Sequence, residues 1–337
     1  MEHILRGHRG PMRLAALSDI HSNHIALEAV LQYLAVHEKP DALLFLGDFL
    51  TDFPEPEKTL ALLKEAADTF PSVFIRGNRE EYLLRDFRDP ALPAANPVHP
   101  SSQTGSLQYT ASKLTPQVWR WLESLPDRKL VAPGSGPPLT IAHGSLKHSR
   151  ELLYPGTRAL QDTLELMETK LLLHGHTHHR ALIEHGDKRI ADVGIVAYNG
   201  RPEFWGEARL RAYIDNPQQG QETIYASTLL LDLDPGAADY ALRFVDVPYD
   251  PWMTVRAFPH SELAQLAPWW SRAVVREMLS GQDYILALVL QAGELARAAG
   301  VTGSHIPEEF FEQSFRMIIQ RNNIPAKYPE ALKPYLR

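Results

Sequence analysis

The 337-residue chain contains no cysteine. That excludes disulfides, thiolate metal ligands and a thiol nucleophile, so any metal must sit on histidine, aspartate, glutamate or asparagine. No apolar run approaches the ~20 residues of a membrane span. The opening residues, MEHILRGHRGPM, hold two arginines, two histidines and no apolar stretch, which is not the pattern of a secretory signal. Long basic runs are missing too, and the net charge is −7. A general nucleic-acid binder carries a basic face, so this balance argues against one. Together these absences predict a cytoplasmic protein with neither membrane nor nucleic acid as partner. Met12 offers an alternative start, directly before the first expected strand.

What is present suits a globular protein. Hydrophobic residues make up 44% of the chain and charged residues 22%, enough apolar material for a large core. Apolar runs at Arg13–Leu17, Asp41–Leu46 and Ser72–Ile75 read as strands. Helical spacing fills Ile25–Ala35 between the first two, and Thr59–Phe70 is a helix by composition. Strand–helix–strand–helix–strand predicts parallel βαβ units. Asp89–Pro100 carries four prolines and reads as a loop. Thr115-Pro116 opens a helix that should end near Leu125-Pro126. Further strands are expected at Leu139–Ala142 and Lys170–Leu173. A more antiparallel group is expected at Ala181–Glu184, Arg189–Val193, Thr223–Leu233 and Tyr240–Val247. From about Tyr249 the pattern is helical only, with Ile285–Ala298 and Pro307–Ile319 the clearest segments. The expected division is therefore 1–249 and a helical segment 250–337. The apolar faces of that segment read as core or as contacts of a homo-oligomer, and Trp269-Trp270 as an exposed aromatic pair.

Five of these strands end in residue types that bind metals: Asp19-Ile20-His21, Gly47-Asp48, Gly77-Asn78, His143-Gly144 and Gly175-His176-Thr177-His178. Seven of the 15 histidines lie between residues 143 and 185. In open α/β sheets, sites gather at the carboxyl ends of strands, so clusters spread over about 160 residues should converge. Alternation along extended backbone would send both side chains of Asp-x-His and His-x-His to one side. Glycine before Asp48, Asn78 and His176 would let the chain turn sharply. Imidazole suits zinc, iron, nickel and manganese, and carboxylate the harder ions.

The ordered set Asp-x-His, Gly-Asp, Gly-Asn, His-Gly and Gly-His-x-His resembles the calcineurin-like metallophosphoesterases over roughly residues 13–200. The run LSDIHSNHIALEAVL at 17–31 is most similar to their small bacterial and archaeal phosphodiesterase-like branch. The resemblance implies an α/β fold, a four-layer α/β/β/α sandwich with two mixed sheets. It implies two divalent ions, manganese, iron, nickel or zinc. Asp19, His21 and His178 would hold the first and Asn78, His143 and His176 the second, with Asp48 bridging. It also implies hydrolysis of phosphate esters, by a metal-bridging hydroxide attacking phosphorus in line with the leaving group, the substrate being a small ester such as a nucleotide. Catalytic roles fall to Asp48, His143 and Arg79.

Two departures stand out. The usual Gly-Asn-His is Gly77-Asn78-Arg79 here. Arginine does not give up its proton, because its pKa lies far above working pH, but it can bind a phosphoryl oxygen. That favours a site role for Arg79 over surface pairing with Glu80 or Glu81, and a phosphodiesterase over a phosphomonoesterase or protein phosphatase. The second is 192–197, Asp-Val-Gly-Ile-Val-Ala, which stands where Asn-Pro-Gly-Ser-Val-Gly is common. His174 is expected in the core or behind the ligands, and His24, His148 and His179 at the surface. A non-catalytic scaffold on the same fold is the rival outside enzymology, and it would be marked by lost ligands.

Overall fold

Alternate side chains along each strand serve two cores, and this sets the layering. In the strand Met12–Leu17, Leu14 and Ala16 face one buried cluster and Ala15 and Leu17 another. The computed structural model describes residues 2–87, 101–134, 136–200, 224–280, 284–302 and 306–321. The expected loop Asp89–Pro100, the first residue of the expected strand at Thr223, and 322–337 of the helical segment lie outside the described residues.

The strands are β1 (Glu2–Ile4), β2 (Met12–Leu17), β3 (Ala42–Phe45), β4 (Ser72–Phe74), β5 (Arg128–Pro133), β6 (Leu139–Ala142), β7 (Leu171–His174), β8 (Ala181–His185), β9 (Lys188–Asp192), β10 (Asn199–Gly200), β11 (Ile224–Leu233) and β12 (Ala241–Pro248). They form two mixed sheets. One runs β1-β5-β6-β7-β9-β8, and the other β10-β11-β2-β3-β4 with β12 also paired to β11. The β2, β3 and β4 ladders are parallel, joined by α1 (His24–Tyr33) and α2 (Pro56–Thr69). The β6, β7 and β9 ladders are parallel too.

Leu44, Val73, Ile141, Leu173 and Leu231 pack between the sheets. The helices α1, α2 and α5 (Pro116–Ser124) cover the outer face of the second sheet, through Leu27, Leu63 and Leu122. The helix α6 (Arg158–Leu166) covers the outer face of the first, through Leu160 against Leu172 and Ile190. The result is the four-layer α/β/β/α sandwich. Side-chain caps set the helix starts: Asn23 accepts from Ala26 N–H, and Thr115 from Val118 N–H with Pro116 next. Instead of running on as α-helix to Ala35, α1 widens into a π-turn at Leu34–Glu38, which closes on left-handed Lys39 (φ 49°).

After Pro248 the described chain is helical. The main helices are Pro268–Ser280, Tyr284–Ala298 and Glu308–Arg321. Packing crosses the change from strands to helices. Trp252, Phe258, Trp270, Val275 and Met278 share one buried cluster with Leu27, Phe45 and Phe53. No described helix is long and apolar enough to cross a membrane.

Candidate metal centre

The loops after β2 and β3 are laced together. Asp19 N–H donates to Gly47 O (3.1 Å), and Ile20 and His21 N–H to Asp48 O (2.9 Å each). Glu80, fully buried in α3 (Asn78–Asp86), clamps the far side. Its carboxylate accepts from the backbone N–H groups of Gly77, Asp48 and Phe49 at 2.8–2.9 Å. Burial, with Asp48 nearby, pushes Glu80 up to about 7. The segment 192–197 braces this from behind: Val196 N–H donates to Ser18 O and Ala197 N–H to Asp19 O.

Five candidate ligands have left-handed backbone: Asp19 (φ 56°), His21 (51°), Asp48 (52°), His176 (68°) and His178 (62°). Such conformations cost non-glycine residues of order 1 kcal/mol or more and gather at functional sites. The expectation of extended Asp-x-His and His-x-His is therefore corrected: left-handed turns, not alternation, bring both side chains to one side. The glycines are corrected as well. Only Gly47 needs a left-handed φ (+95°). At Gly77 a Cβ would overlap Asp48, and at Gly175 it would overlap Ser18 and Asp19, so these two make room rather than a turn.

All seven expected ligand residues converge. Asp19, His21 and His178 form one group and Asp48, His143 and His176 a second, ligand atoms within 4.8 Å in each. His178 Nε2 lies 3.3 Å and His21 Nε2 3.6 Å from Asp19 Oδ1. Asp48 Oδ2 stands between the groups, 3.3 Å from His143 Nε2 and 4.0 Å from His21 Nε2. Asn78 Oδ1 is 3.1 Å from His143 Nε2. Donors ~2.1 Å from a shared ion lie roughly 3–4 Å from one another, which these spacings match. His143 Nδ1 donates to Leu46 O (2.8 Å), which leaves Nε2 as the inward lone pair.

The electrostatics also fit a cation. Asp19 Oδ1 is buried without a hydrogen-bond partner. Burial opposes ionisation of Asp19 and Asp48, yet the facing imidazoles outweigh it and hold both below the usual carboxylate range. Burial likewise opposes charge on His21 and His143, but the carboxylates win and raise both to about 10. The carboxylate pair thus draws positive charge to this point, which divalent ions satisfy.

Sequence reasoning missed Asp52, which no motif marks. It is buried, and its Oδ2 lies 3.0 Å from His21 Nδ1. Arg79 Nη2 sits between both Asp52 oxygens, at 2.5 and 2.6 Å. Ser106 Oγ (3.0 Å) and Trp270 Nε1 (2.9 Å) also donate to Asp52. Arg79 is therefore buried and paired with Asp52, not with Glu80 or Glu81. Its guanidinium lies 5.0 Å from the centre of the Trp270 ring. Trp270 is 2% exposed, which corrects its reading as an exposed aromatic. His174 is buried and pushed down to about 4, chiefly by burial. His148 and His179 are exposed and His24 is partly buried.

The family model for calcineurin-like phosphoesterases matches residues 12–180. The chain belongs to the calcineurin-like phosphoesterase family. It is thus a hydrolase, of a family that uses divalent metals, with two candidate metal sites. No curated protein matches the chain significantly. Among solved structures, this phosphoesterase is similar to a hypothetical protein from Pyrococcus horikoshii OT3. Identity is 17%, coverage 80% of this chain and 99% of that one, and the TM-score 0.59. It is also similar to a metallophosphoesterase from Sphaerobacter thermophilus, with 23% identity, 76% and 98% coverage and a TM-score of 0.52. At these identities the likeness shows the fold.

A cavity of about 290 Å³ opens over the candidate metal centre of this phosphoesterase. His21, Asp48, Asn78, Arg79, His176 and His178 line one side. The other side is helical: Trp270, Val274, Ile285, Leu286 and Val289. The C-terminal helices were expected to offer core or oligomer contacts, not a pocket. They form the core and also wall the cavity. Their apolar spacing looked like packing because packing and cavity lining call for the same residue types.

Proposed function

We propose that the chain is a two-metal phosphodiesterase acting on small phosphodiesters. The observation that carries this reading is the position of Asp48 Oδ2 between the two His/Asp groups. In this reading Asp19, His21 and His178 would hold one ion and Asn78, His143 and His176 the other, with Asp48 placed to serve either. Manganese, iron, nickel and zinc all suit the donor set. What such ions supply when bound is positive charge against the phosphoryl oxygens and a lowered pKa for water. The balance is that of hydrolysis: a water oxygen bonds to phosphorus, the ester P–O bond breaks, and the leaving oxygen gains a proton.

The chain's own residues orient this chemistry. Arg79 N–H donates to Asp48 Oδ1 (2.8 Å), which fixes that carboxylate. Burial opposes the charge of Arg79, but Asp52 outweighs it and raises the guanidinium above its ordinary pKa. Arg79 therefore acts as a hydrogen-bond donor on the cavity wall and not as an acid. A leaving group that needs no protonation suits such a site, which favours diesters with good leaving groups. The setting in this reading is the cytoplasm, with a small ester as substrate and no membrane or nucleic acid involved.

The test is hydrolysis of bis-p-nitrophenyl phosphate and p-nitrophenyl phosphate by metal-stripped protein, with each of the four metals added back. Metal-dependent cleavage, mainly of the diester, that Asp48→Asn reduces at least 10²-fold is the expected result. A monoester preference would move the reading to a phosphomonoesterase. No cleavage by protein shown to hold two ions would leave the scaffold.

A further inference from the structure

The cavity over the centre has two unlike sides, and the unlikeness bears on the substrate. Across the cavity stand the helical residues Trp270, Val274, Ile285, Leu286 and Val289, while Tyr198 lies beside the candidate ligand His178. Among the described residues lining it, Arg79 is the only arginine or lysine, and its Nη2 is engaged by Asp52. Among the described residues, the only carboxylate on the helical side is Glu277, which accepts from Tyr198 Oη (2.6 Å) and Ile285 N–H (3.0 Å). A second phosphate placed there would meet no spare cation among the described lining residues and would face this carboxylate. An apolar group would be sheltered from water, gaining about 25 cal/mol per Å² buried. A charged group would lose hydration without compensation. At about 290 Å³ the space is at the small end of ligand sites. Against the helical wall it leaves room for one ring-sized substituent on the phosphoryl group.

Building on the phosphodiesterase reading, we propose that the helical wall selects phosphodiesters carrying a small uncharged apolar or aromatic group, and rejects polyphosphates and esters with a second anionic group. The C-terminal helices are then the specificity element of the enzyme. Leu286 is the residue to probe, because it lines the cavity yet is 46% exposed, so its replacement does not open the core.

Full-length metal-loaded protein is given p-nitrophenyl phenyl phosphate and p-nitrophenyl methyl phosphate. The two share charge and leaving group and differ only in the retained substituent. After division by the uncatalysed rates, kcat/KM should favour the phenyl ester about tenfold, equivalent to ~1.4 kcal/mol, with most of the difference in KM. Leu286→Asp should bring the ratio close to one. Leu290→Asp, on the same helix, exposed and outside the cavity lining, should leave both the ratio and the rates unchanged. A wild-type ratio near one, or a ratio that Leu286→Asp does not change, overturns the proposal while hydrolysis itself stands. Binding gives the independent arm: phenylphosphonate and methylphosphonate are titrated by calorimetry into the metal-loaded protein. Equal affinities overturn the wall's role whether or not either ester is cleaved. Tighter phenylphosphonate binding without turnover keeps the wall and removes the phosphodiesterase reading.

Discussion

Asp52 joins parts of the site that sequence spacing keeps apart. One carboxylate meets the candidate ligand His21, the replacement residue Arg79, Ser106 and Trp270. A carboxylate behind a metal-binding imidazole fixes its orientation and raises its basicity, and removing it typically lowers metal affinity or activity about 10–100-fold. Asp52→Asn should therefore reduce metal content at a limiting ion concentration. It should also cost about 3 kcal/mol of stability, because Arg79 stays buried with its charge unmatched. Metal analysis and urea denaturation read the two effects separately. Normal metal content together with unchanged stability would show that Asp52 positions neither residue. At this scale the candidate ligands that converge could be read from sequence, and the residues behind them could not. Asp19, His21, Asp48, Asn78, His143, His176 and His178 follow short fixed motifs, because each sits where a strand stops. Asp52 and Trp270 follow none, since the contact that gives them meaning joins residues 218 positions apart.

Among the elements, long periodic segments were legible and short or polar ones were not. β2, β3, β4 and α2 lie within a few residues of expectation. The helix α3 starts on a candidate ligand and carries charges along its length, and α4 (Ser102–Lys113) is polar with little periodicity. Both owe their form to tertiary partners: α3 to the Glu80 clamp, and α4 to contacts such as Ser106 with Asp52. The edge strand β1 has three residues, too few to show a pattern. Strand-end loops, not strands, carry the strain, and they yield a sharp prediction. A methyl at Gly175, just after β7, would press on Ser18 and the Asp19 carboxylate. Gly175→Ala should thus displace Asp19, costing about 1–3 kcal/mol by overpacking and lowering metal affinity with it. A melting temperature and metal affinity equal to wild type would show that the two loops have slack.

For the molecule as a whole, composition announced the change near residue 249 but not what crosses it. Helical spacing shows that the later segments bury an apolar face, without naming the surface they bury it against. In the folded chain that surface includes α1 and the loop holding Phe53, through Trp252, Phe258 and Met278. Truncation after Asp250 strips these side chains from a shared core, each large one worth about 1.5–3 kcal/mol of burial. For the three together that is about 4.5–9 kcal/mol, comparable with the whole stability of a typical domain, ~5–15 kcal/mol. The truncated chain should therefore expose apolar surface, bind a hydrophobic dye and lose its cooperative melt. A sharp thermal transition in the truncated protein would show that the two parts fold apart.

The shared core also orders events in time. Every candidate ligand has been synthesised by His178, whereas Trp270 follows roughly ninety residues later. At ~5–20 residues per second that interval is ~5–20 s. A nascent chain thus holds its full donor set, still open to solvent, well before the helices that roof it exist, so ion capture can precede closure rather than compete with it.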